Sequence, residues 1–422
     1  MLQGILILRG RNLARVTMLV WNEFVNDARV LKEAQTLAKA GHEVIVHALH
    51  TPGKTQVTEV LEPRVRVVRV ARSPFWRLRG KGRQQVQSSS AQTEQEQVVK
   101  SLKPHRQLLR LVARSFTHLG LCWRLLRSGA DAVHAHDVNV LPTAWLAAKL
   151  LRVPLVYDAH EISTDREGYQ AFRKWVGWVE KKIMPSVAAS ITTTDMRAKF
   201  FARAYRIPRP LVLQNRPRYI VVDKTNRIRS ELNLSQPWPI VLYQGGLQQG
   251  RGLPRLVKAA EKVPNAYFVF IGGGRQTEEL CSLVVELGLT DRVYFIPTVS
   301  LNDLPEYTAS ADIGVQPIEN TCLNHFSTDS NKLFEYVIAG LPVIASAMPE
   351  IRKVVQQYDL GLSVPPGDTG ALIEALNTMI NQPELRQHYA QQASKAAHHL
   401  NWEAQEQSLL DLYDRVLSSP VK

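Results

Sequence analysis

Hydrophobic positions along this chain follow two rhythms. Short apolar runs of strand length alternate with stretches in which apolar residues recur every three to four positions, the period of a helix. Residues 16–21 form the first run. A helical stretch over 27–41 follows, with Val30, Leu31, Ala34, Leu37 and Ala38 on one face and Gly41 as its stop signal. Further strands are predicted over 42–49, 64–71, 132–135, 155–157 and 190–193, with helices over 104–127, up to Leu151, and over 171–184. Pro208, Pro210 and Pro217 break the rhythm, which then restarts. Strands over 240–243, 267–271, 293–296, 313–316, 343–345 and 362–364 follow, with helices over 253–262 and 277–287 and a helical tail over 404–417. Strands spaced by helices imply parallel sheets. The fold class is therefore α/β: two doubly wound, Rossmann-like domains, residues 1–207 and 208–400. A C-terminal helix within 401–422 is expected to cross back to the first domain. Ligands in such sheets bind outside the carboxyl ends of the strands, so the crevice between the domains is the expected site.

Composition narrows the class. A length of 422 residues suits two domains, and 45% hydrophobic with 21% charged residues excludes a disordered chain. Cys122, Cys281 and Cys322 lie far apart, which argues against a disulfide scaffold or a Cys-based zinc site and for a reducing compartment. No apolar run is long enough for a transmembrane helix. The first eight residues are apolar, but Arg9, Arg11 and Arg15 follow them, the reverse of a signal peptide's order, so they read as an extension.

The net charge of +14 is concentrated. Fifteen basic and two acidic residues fall between Arg64 and Arg127. Phe75, Trp76 and Leu78 interrupt the basic run, which favours an anionic membrane surface over a solvated face. Nucleic acid is disfavoured, because no helix-turn-helix, zinc finger or RNP-type strand accompanies the charge. In the helix over 104–127, Leu108, Val112, Phe116, Leu119, Trp123 and Leu126 recur at helical spacing, and this stripe is expected to pack on its own domain. The Gln- and Ser-rich stretch 84–97 reads as a mobile loop beside the basic patch.

Three stretches could carry chemistry. In Asp131-Ala-Val-His134-Ala-His136-Asp137 the two histidines point to one face, and His136 stands at the strand's carboxyl edge, where it could touch a sugar hydroxyl. A structural role is the alternative, and the better reading for His134. A zinc reading would need a third ligand such as His160, in Tyr157-Asp158-Ala159-His160-Glu161, and no known metal motif is assembled. The turn Gln244-Gly245-Gly246-Leu247-Gln248-Gln249-Gly250-Arg251-Gly252 lies between a strand and a helix. Glycines let amides approach a phosphate, and Arg251 adds a forked donor. Finally, Ser330-Asn331-Lys332-Leu333-Phe334-Glu335 opens a helix. Its first amides could hold a diphosphate, Lys332 would add a charge, and Glu335, about one turn on, could accept from the paired hydroxyls of a ribose.

These elements, in this order, resemble retaining glycosyltransferases of the GT-B fold, specifically glycosyltransferase family 4. The resemblance covers nearly the whole chain. It runs through Asp27-Ala-Arg29 to Glu33, Gly41 to Val44, His134 to Asp137, Tyr157 to Glu161, the glycines of 245–252 and 272–274, Ala309 to Gly314, and Asn331 to Ser346. It is greatest for the branch that makes bacterial capsule, exopolysaccharide or lipid-linked glycans. The resemblance implies that Arg251 holds the donor diphosphate, that Glu335 binds the ribose, and that His136 is the active-site histidine. It further implies a donor site of Gly245, Gly246, Gly273, Asn331, Lys332 and Leu333, and an acceptor side of Asp27, Arg29, His160 and Glu161. Catalysis would fall to His136, Arg251 and Lys332. Three positions depart from the pattern: Ser327 stands where the first of the family's paired glutamates belongs, Gly246 where an arginine is common, and 21–26 where a glycine-rich acceptor loop belongs.

The expected function is sugar transfer from a nucleotide-diphosphate donor to a glycan or lipid-linked acceptor, with retention at the anomeric carbon. In family terms the leaving diphosphate helps deprotonate the incoming hydroxyl, and the protein stabilises its charge. No metal and no cofactor are expected, and no Asp-x-Asp is present to carry a metal. The expected location is cytoplasmic, peripheral at the inner face of the cell membrane, with no nucleic-acid partner. A nucleotide-sugar epimerase and a non-catalytic sugar-nucleotide-binding subunit, the latter suggested by Ser327, are the rivals.

Overall fold

The computed structural model describes residues 13–72, 104–166 and 170–419. The extension at the N-terminus, the 84–97 stretch and the apolar trio Phe75, Trp76 and Leu78 lie outside the described residues. The chain divides into two compact units. One contains the described residues up to Leu213 together with those from Gln405 onward, and the other runs from Gln214 to Ala404.

Unit 1 is built on β1 (Arg15–Leu19), β2 (Glu43–His50), β3 (Thr58–Glu62), β4 (Val65–Ala71), β5 (Ala132–His136), β6 (Leu155–Ala159), β7 (Ala189–Thr192) and β8 (Leu211–Val212). Their order across the sheet is β3-β4-β2-β1-β5-β6-β7-β8. All pairings are parallel except that of the edge strand β3, which runs antiparallel to β4. The helices are α1 (Ala28–Lys39), α2 (Pro104–Ser128), α3 (Leu141–Leu151), α4 (Arg173–Ile183) and α5 (Asp195–Tyr205). Asp27 caps α1 by accepting from the Val30 amide at 3.2 Å. Gly41, at φ +102°, ends that turn, in a conformation other residues rarely adopt.

Parallel strands joined through a helix cross over right-handedly. The connections β4-α2-β5, β5-α3-β6, β6-α4-β7 and β7-α5-β8 all run the same way across the sheet, so these four helices share one face. The connection β1-α1-β2 runs the other way and puts α1 on the opposite face. Side chains therefore sort by alternation. Val133, Ala135, Leu155 and Tyr157 enter the core under α2 to α5, whereas His134, His136 and Asp158 face α1.

The α2 stripe is a correction to the sequence reading. Leu126 packs against the domain core as expected and the Leu108 side chain lies outside those described, but Val112, Phe116, Leu119 and Trp123 are exposed, and α2 is buried mainly through Thr117, Leu121, Cys122 and Leu125. Periodicity fixes that a helix is amphipathic, not that the apolar stripe is the one facing the sheet.

Unit 2 carries α6 (Arg227–Glu231), β9 (Ile240–Gln244), α7 (Leu253–Glu261), β10 (Tyr267–Ile271), α8 (Thr277–Glu286), β11 (Val293–Ile296), α9 (Leu304–Ala309), β12 (Ile313–Gln316), α10 (Leu323–Phe326), α11 (Asn331–Ile338), β13 (Val343–Ser346), α12 (Pro349–Gln357), β14 (Gly361–Val364), α13 (Thr369–Asn381) and α14 (Pro383–Ala397). Its described strands form one parallel sheet in the order β11-β10-β9-β12-β13-β14. Each face of that sheet buries its own apolar cluster, one around Tyr336 and Phe334, the other around Phe268 and Phe270. The final helix, α15 (Glu403–Ser418), packs from Gln405 onward in unit 1, where Thr36 Oγ1 donates to Glu406 Oε2 at 3.1 Å. No helix among the described residues is long and apolar enough to cross a membrane.

Candidate functional site

Strand β9 delivers the chain to Gly245, whose amide donates to Ile271 O at 2.8 Å. Gly245 sits at φ +119° and Gly272 at φ +138°, so both turns lie in the region that favours glycine. A Cβ on Gly272 would stand 2.2 Å from Gly245 O, so the two glycine turns lie directly against each other. Leu247 N donates to Gly273 O at 3.1 Å, which ties the loop after β9 to the loop after β10.

The stem of Lys332 lies over this turn. A Cβ on Gly245 would come within 2.6 Å of Lys332 Cε, so the lysine stem lies directly against this glycine. The ammonium stands 5.4 Å from the centroid of the Tyr243 ring. Lys332 makes no hydrogen bond or ion pair among the described residues, and neither does the guanidinium of Arg251. Burial first, and then the charge of Arg251, push the Lys332 ammonium down to about 8, against the opposing pull of Glu335. Two cations thus share this turn, and neither forms an ion pair among the described residues.

Helix α11 begins beside them. Ser330 turns the chain at φ 53° and contributes no side-chain cap to the helix. Asn331 is exposed at the first position and Lys332 is half-buried at the second. Leu333, expected among the donor-binding residues, is fully buried, and its amide donates to Ser330 O at 3.2 Å; it anchors the helix. Glu335, one turn on, accepts from Gln244 Nε2 at 2.6 Å, and Gln244 Oε1 in turn accepts from Thr308 Oγ1 at 2.9 Å. The other Glu335 oxygen has no hydrogen bond among the described residues. Gln244 is a residue that sequence reasoning missed; its place, one position before the glycine turn, was the available signal. Ser327 is buried and donates through Oγ to Leu323 O at 2.8 Å, so its hydroxyl is turned into α10. Gly246 is exposed, and Arg251 is half-buried.

Unit 1 gathers the other residues. Arg29 lies buried, with Nε 2.7 Å and Nη2 3.0 Å from the two Asp158 oxygens and Nη1 donating to Leu213 O at 2.7 Å. Glu33, one turn along α1, is 3.2 Å from Arg29 Nε. Burial alone would raise the Asp158 carboxyl, but Arg29, then His160, hold it well below its usual range. Burial and the neighbouring charge of Asp158 push Glu33 well above its own. His134 and His136 stack with centroids 4.2 Å apart, and His134 Nδ1 meets the Tyr413 hydroxyl at 2.9 Å. Burial lowers both imidazoles, so both are neutral at pH 7.

His136 is only 2% exposed, and its Nδ1 lies 3.4 Å from His160 Nε2. His160 is the more open of the two. Its Nε2 is 3.1 Å from Asp158 Oδ2, and its Nδ1 is 3.8 Å from Asp137 Oδ2. Burial alone would lower its imidazole, but Asp137 and Asp158 outweigh that and raise it to about 9. Asp137 takes φ 66° immediately after β5 and also meets Arg166 at 3.4 Å. Glu161 lies 3.6 Å from Arg166 Nε, and Asp27, beyond capping α1, accepts from Asn22 Nδ2 at 2.8 Å. The structure thus brings Arg29, His136 and His160 together around Asp158 and leaves Asp27 and Glu161 at its margin.

Glu33, His134, His136 and Asp158 offer ligand atoms within 4.8 Å of one another, all buried. A divalent ion there would share Asp158 and Glu33 with Arg29, already within ion-pair distance of both. Arg29 answers the charge that a metal would require, so the donor set fits an internal ion-pair network better than a metal centre.

Two family models match the chain. The glycosyl transferase 4-like domain covers residues 27–216 and the glycosyl transferases group 1 model covers 224–396. A D-inositol 3-phosphate glycosyltransferase from Xylanimonas cellulosilytica is 25% identical over 409 residues, 91% of this chain and 90% of that protein. The sucrose-phosphate synthase of Thermosynechococcus elongatus superposes with a TM-score of 0.75 at 19% identity, over 96% of this chain and 99% of that one. Anabaena HepE in complex with UDP-glucose superposes with a TM-score of 0.70 at 16% identity, over 95% and 99%. The two parallel sheets are those of the GT-B fold, and the chain belongs to the glycosyltransferase group 1 and glycosyltransferase 4-like family, a retaining enzyme that transfers a sugar from a nucleotide-sugar donor.

Proposed function

We propose that the donor is a UDP-hexose and that it is gripped by unit 2. The observation that carries this reading is the pair Lys332 and Arg251, two cations without an ion pair among the described residues, at the edge of a glycine turn and the opening of α11. A diphosphate supplies the missing charge. It would take amides from Asn331 and Lys332, whose helix end carries about half a positive charge. Glu335, held by Gln244, then stands one turn away with an oxygen to spare for the ribose hydroxyls. The uracil nucleotide is suggested by HepE, which binds UDP-glucose.

In this reading Arg251 and Lys332 stabilise charge as it builds on the leaving diphosphate. His136, which meets His160 at 3.4 Å, keeps the role of active-site histidine that the resemblance implies. The acceptor is a glycan or lipid-linked glycan of a capsule or exopolysaccharide pathway. It is met at the cytoplasmic face of the cell membrane, where the basic segment 64–127 lies against anionic lipid.

Calorimetry with UDP and with inorganic pyrophosphate tests the grip. Glu335→Ala should weaken UDP by about 1.5–3 kcal/mol, as for a hydrogen bond to a charged group, and leave pyrophosphate unchanged. Equal losses for both ligands would remove the ribose assignment.

A further inference from the structure

Helices α2, α3 and α4 lie side by side on one face of the unit 1 sheet, and their outward sides are strongly apolar. On α2 the exposed residues Val112, Phe116, Leu119 and Trp123 are spaced four, three and four apart, one continuous stripe. On α3, Leu146 and Leu150 are exposed one turn apart. On α4, Trp175 and Trp178 are 61% and 58% exposed, and Phe172 precedes them at 58%. Large aromatic side chains held open to water on adjacent helices form a patch that a soluble surface rarely shows.

The charge of this layer has one sign. The three helices contain a single acid, Glu180, which is fully buried and accepts from Tyr157, Ser163 and Tyr205. Lys149 lies on α3, and Arg173, Lys174, Lys181 and Lys182 are exposed on α4. On α2 the Arg127 guanidinium stands 5.4 Å from the Trp123 ring centroid, a cation seated on an exposed aromatic face. Long cationic side chains around tryptophans suit a headgroup boundary, where the ring enters the acyl edge and the cation stays among phosphates. A second copy of the chain would place the same cations against each other with no exposed acid on these helices to answer them.

We propose that the outer face of α2, α3 and α4 is one docking surface for an anionic lipid bilayer, with Trp175 and Trp178 of α4 entering the interface. The proposal rests on the membrane reading above, and it adds a surface outside segment 64–127 that the charge run alone did not point to.

Flotation of the full chain with phosphatidylglycerol vesicles, against pure phosphatidylcholine, tests it. Wild type should float with the anionic vesicles and release at high salt. Trp175→Glu with Trp178→Glu should weaken partition by about tenfold or more while UDP binding is unchanged. Trp175→Phe with Trp178→Phe should still float but lose much of the tryptophan quenching given by bromine-labelled lipid. Glutamate variants that float like wild type would overturn the α4 assignment and leave the basic segment as the membrane contact. Wild type that fails to float would overturn both. Self-association abolished by the glutamate variants, with flotation unaltered, would make the patch a contact between copies.

Discussion

The two clusters of ionisable groups in this protein are built on opposite rules. In unit 1, Arg29 answers Asp158 and Glu33, His160 answers Asp158 and Asp137, and the two remaining imidazoles are neutral. In unit 2, Lys332 and Arg251 form no ion pair among the described residues, and Glu335, whose charge favours the Lys332 ammonium, is bound to Gln244. A buried charge whose partner is internal stabilises the fold that holds it. A charge whose partner is missing costs stability until a ligand supplies it. The first arrangement is a keystone, and under the proposed function the second is a receptor.

The largest effect should come from removing the keystone. Arg29→Met leaves Asp158 buried beside no guanidinium, and breaking a buried pair from one side costs about 3–5 kcal/mol. Denaturant unfolding should show that loss in the transition of unit 1, with UDP affinity preserved in the protein that remains folded. A variant of normal stability that cannot bind UDP would reverse the assignment of the two clusters.

Lys332→Met should do the opposite. Stability should hold or rise, because an unanswered cation is gone, while UDP affinity falls by about 1.5–3 kcal/mol. The pH dependence sharpens this. The Lys332 ammonium is depressed to about 8 from 10.5. As pH rises through about 8, the folded protein sheds a proton that the unfolded chain keeps until about 10.5, so this lysine makes stability rise with pH across that window. The ligand needs the charged form, so UDP affinity should fall across the same window. Calorimetry from pH 7 to 9.5 should find that break in wild type and none in Lys332→Met. A wild-type profile that stays flat would mean that Lys332 does not touch the diphosphate.

Much of this division was legible in the sequence. The alternation of apolar runs placed both sheets, and the glycine turn at 245 together with the polar opening of a helix at 331 pointed to the cluster that the proposed function assigns to the donor. What failed depended on partners distant in sequence. Tyr413 reaches His134 across 279 positions, and Gln244 reaches Glu335 across 91, and no local pattern encodes either. Strand β3 is short, carries two glutamates and lies at an edge, so it lacks the apolar signature of a central strand. The α2 stripe misled for a related reason: its period is helical whether a sheet or something outside the chain covers it.

The effect that opposes Lys332 in sign belongs to His160. Its imidazole is raised to about 9, so the folded state holds a proton more tightly than the unfolded chain does at about 6.5. The stability this supplies is complete below about 6.5 and disappears as pH rises through about 9. Thermal unfolding of wild type against His160→Gln should therefore show a gap at pH 6 that narrows steadily toward pH 9.5. Lys332→Met, measured over the same range, should be the more stable protein at pH 7, by a margin that shrinks as pH rises through about 8 and wild type gains stability. Two cations in one chain, one more stable charged and one more stable neutral, would then be separated by slope alone. If the His160 gap stays constant with pH, the imidazole is not answered by Asp137 and Asp158, and the contrast between the units loses its unit 1 half.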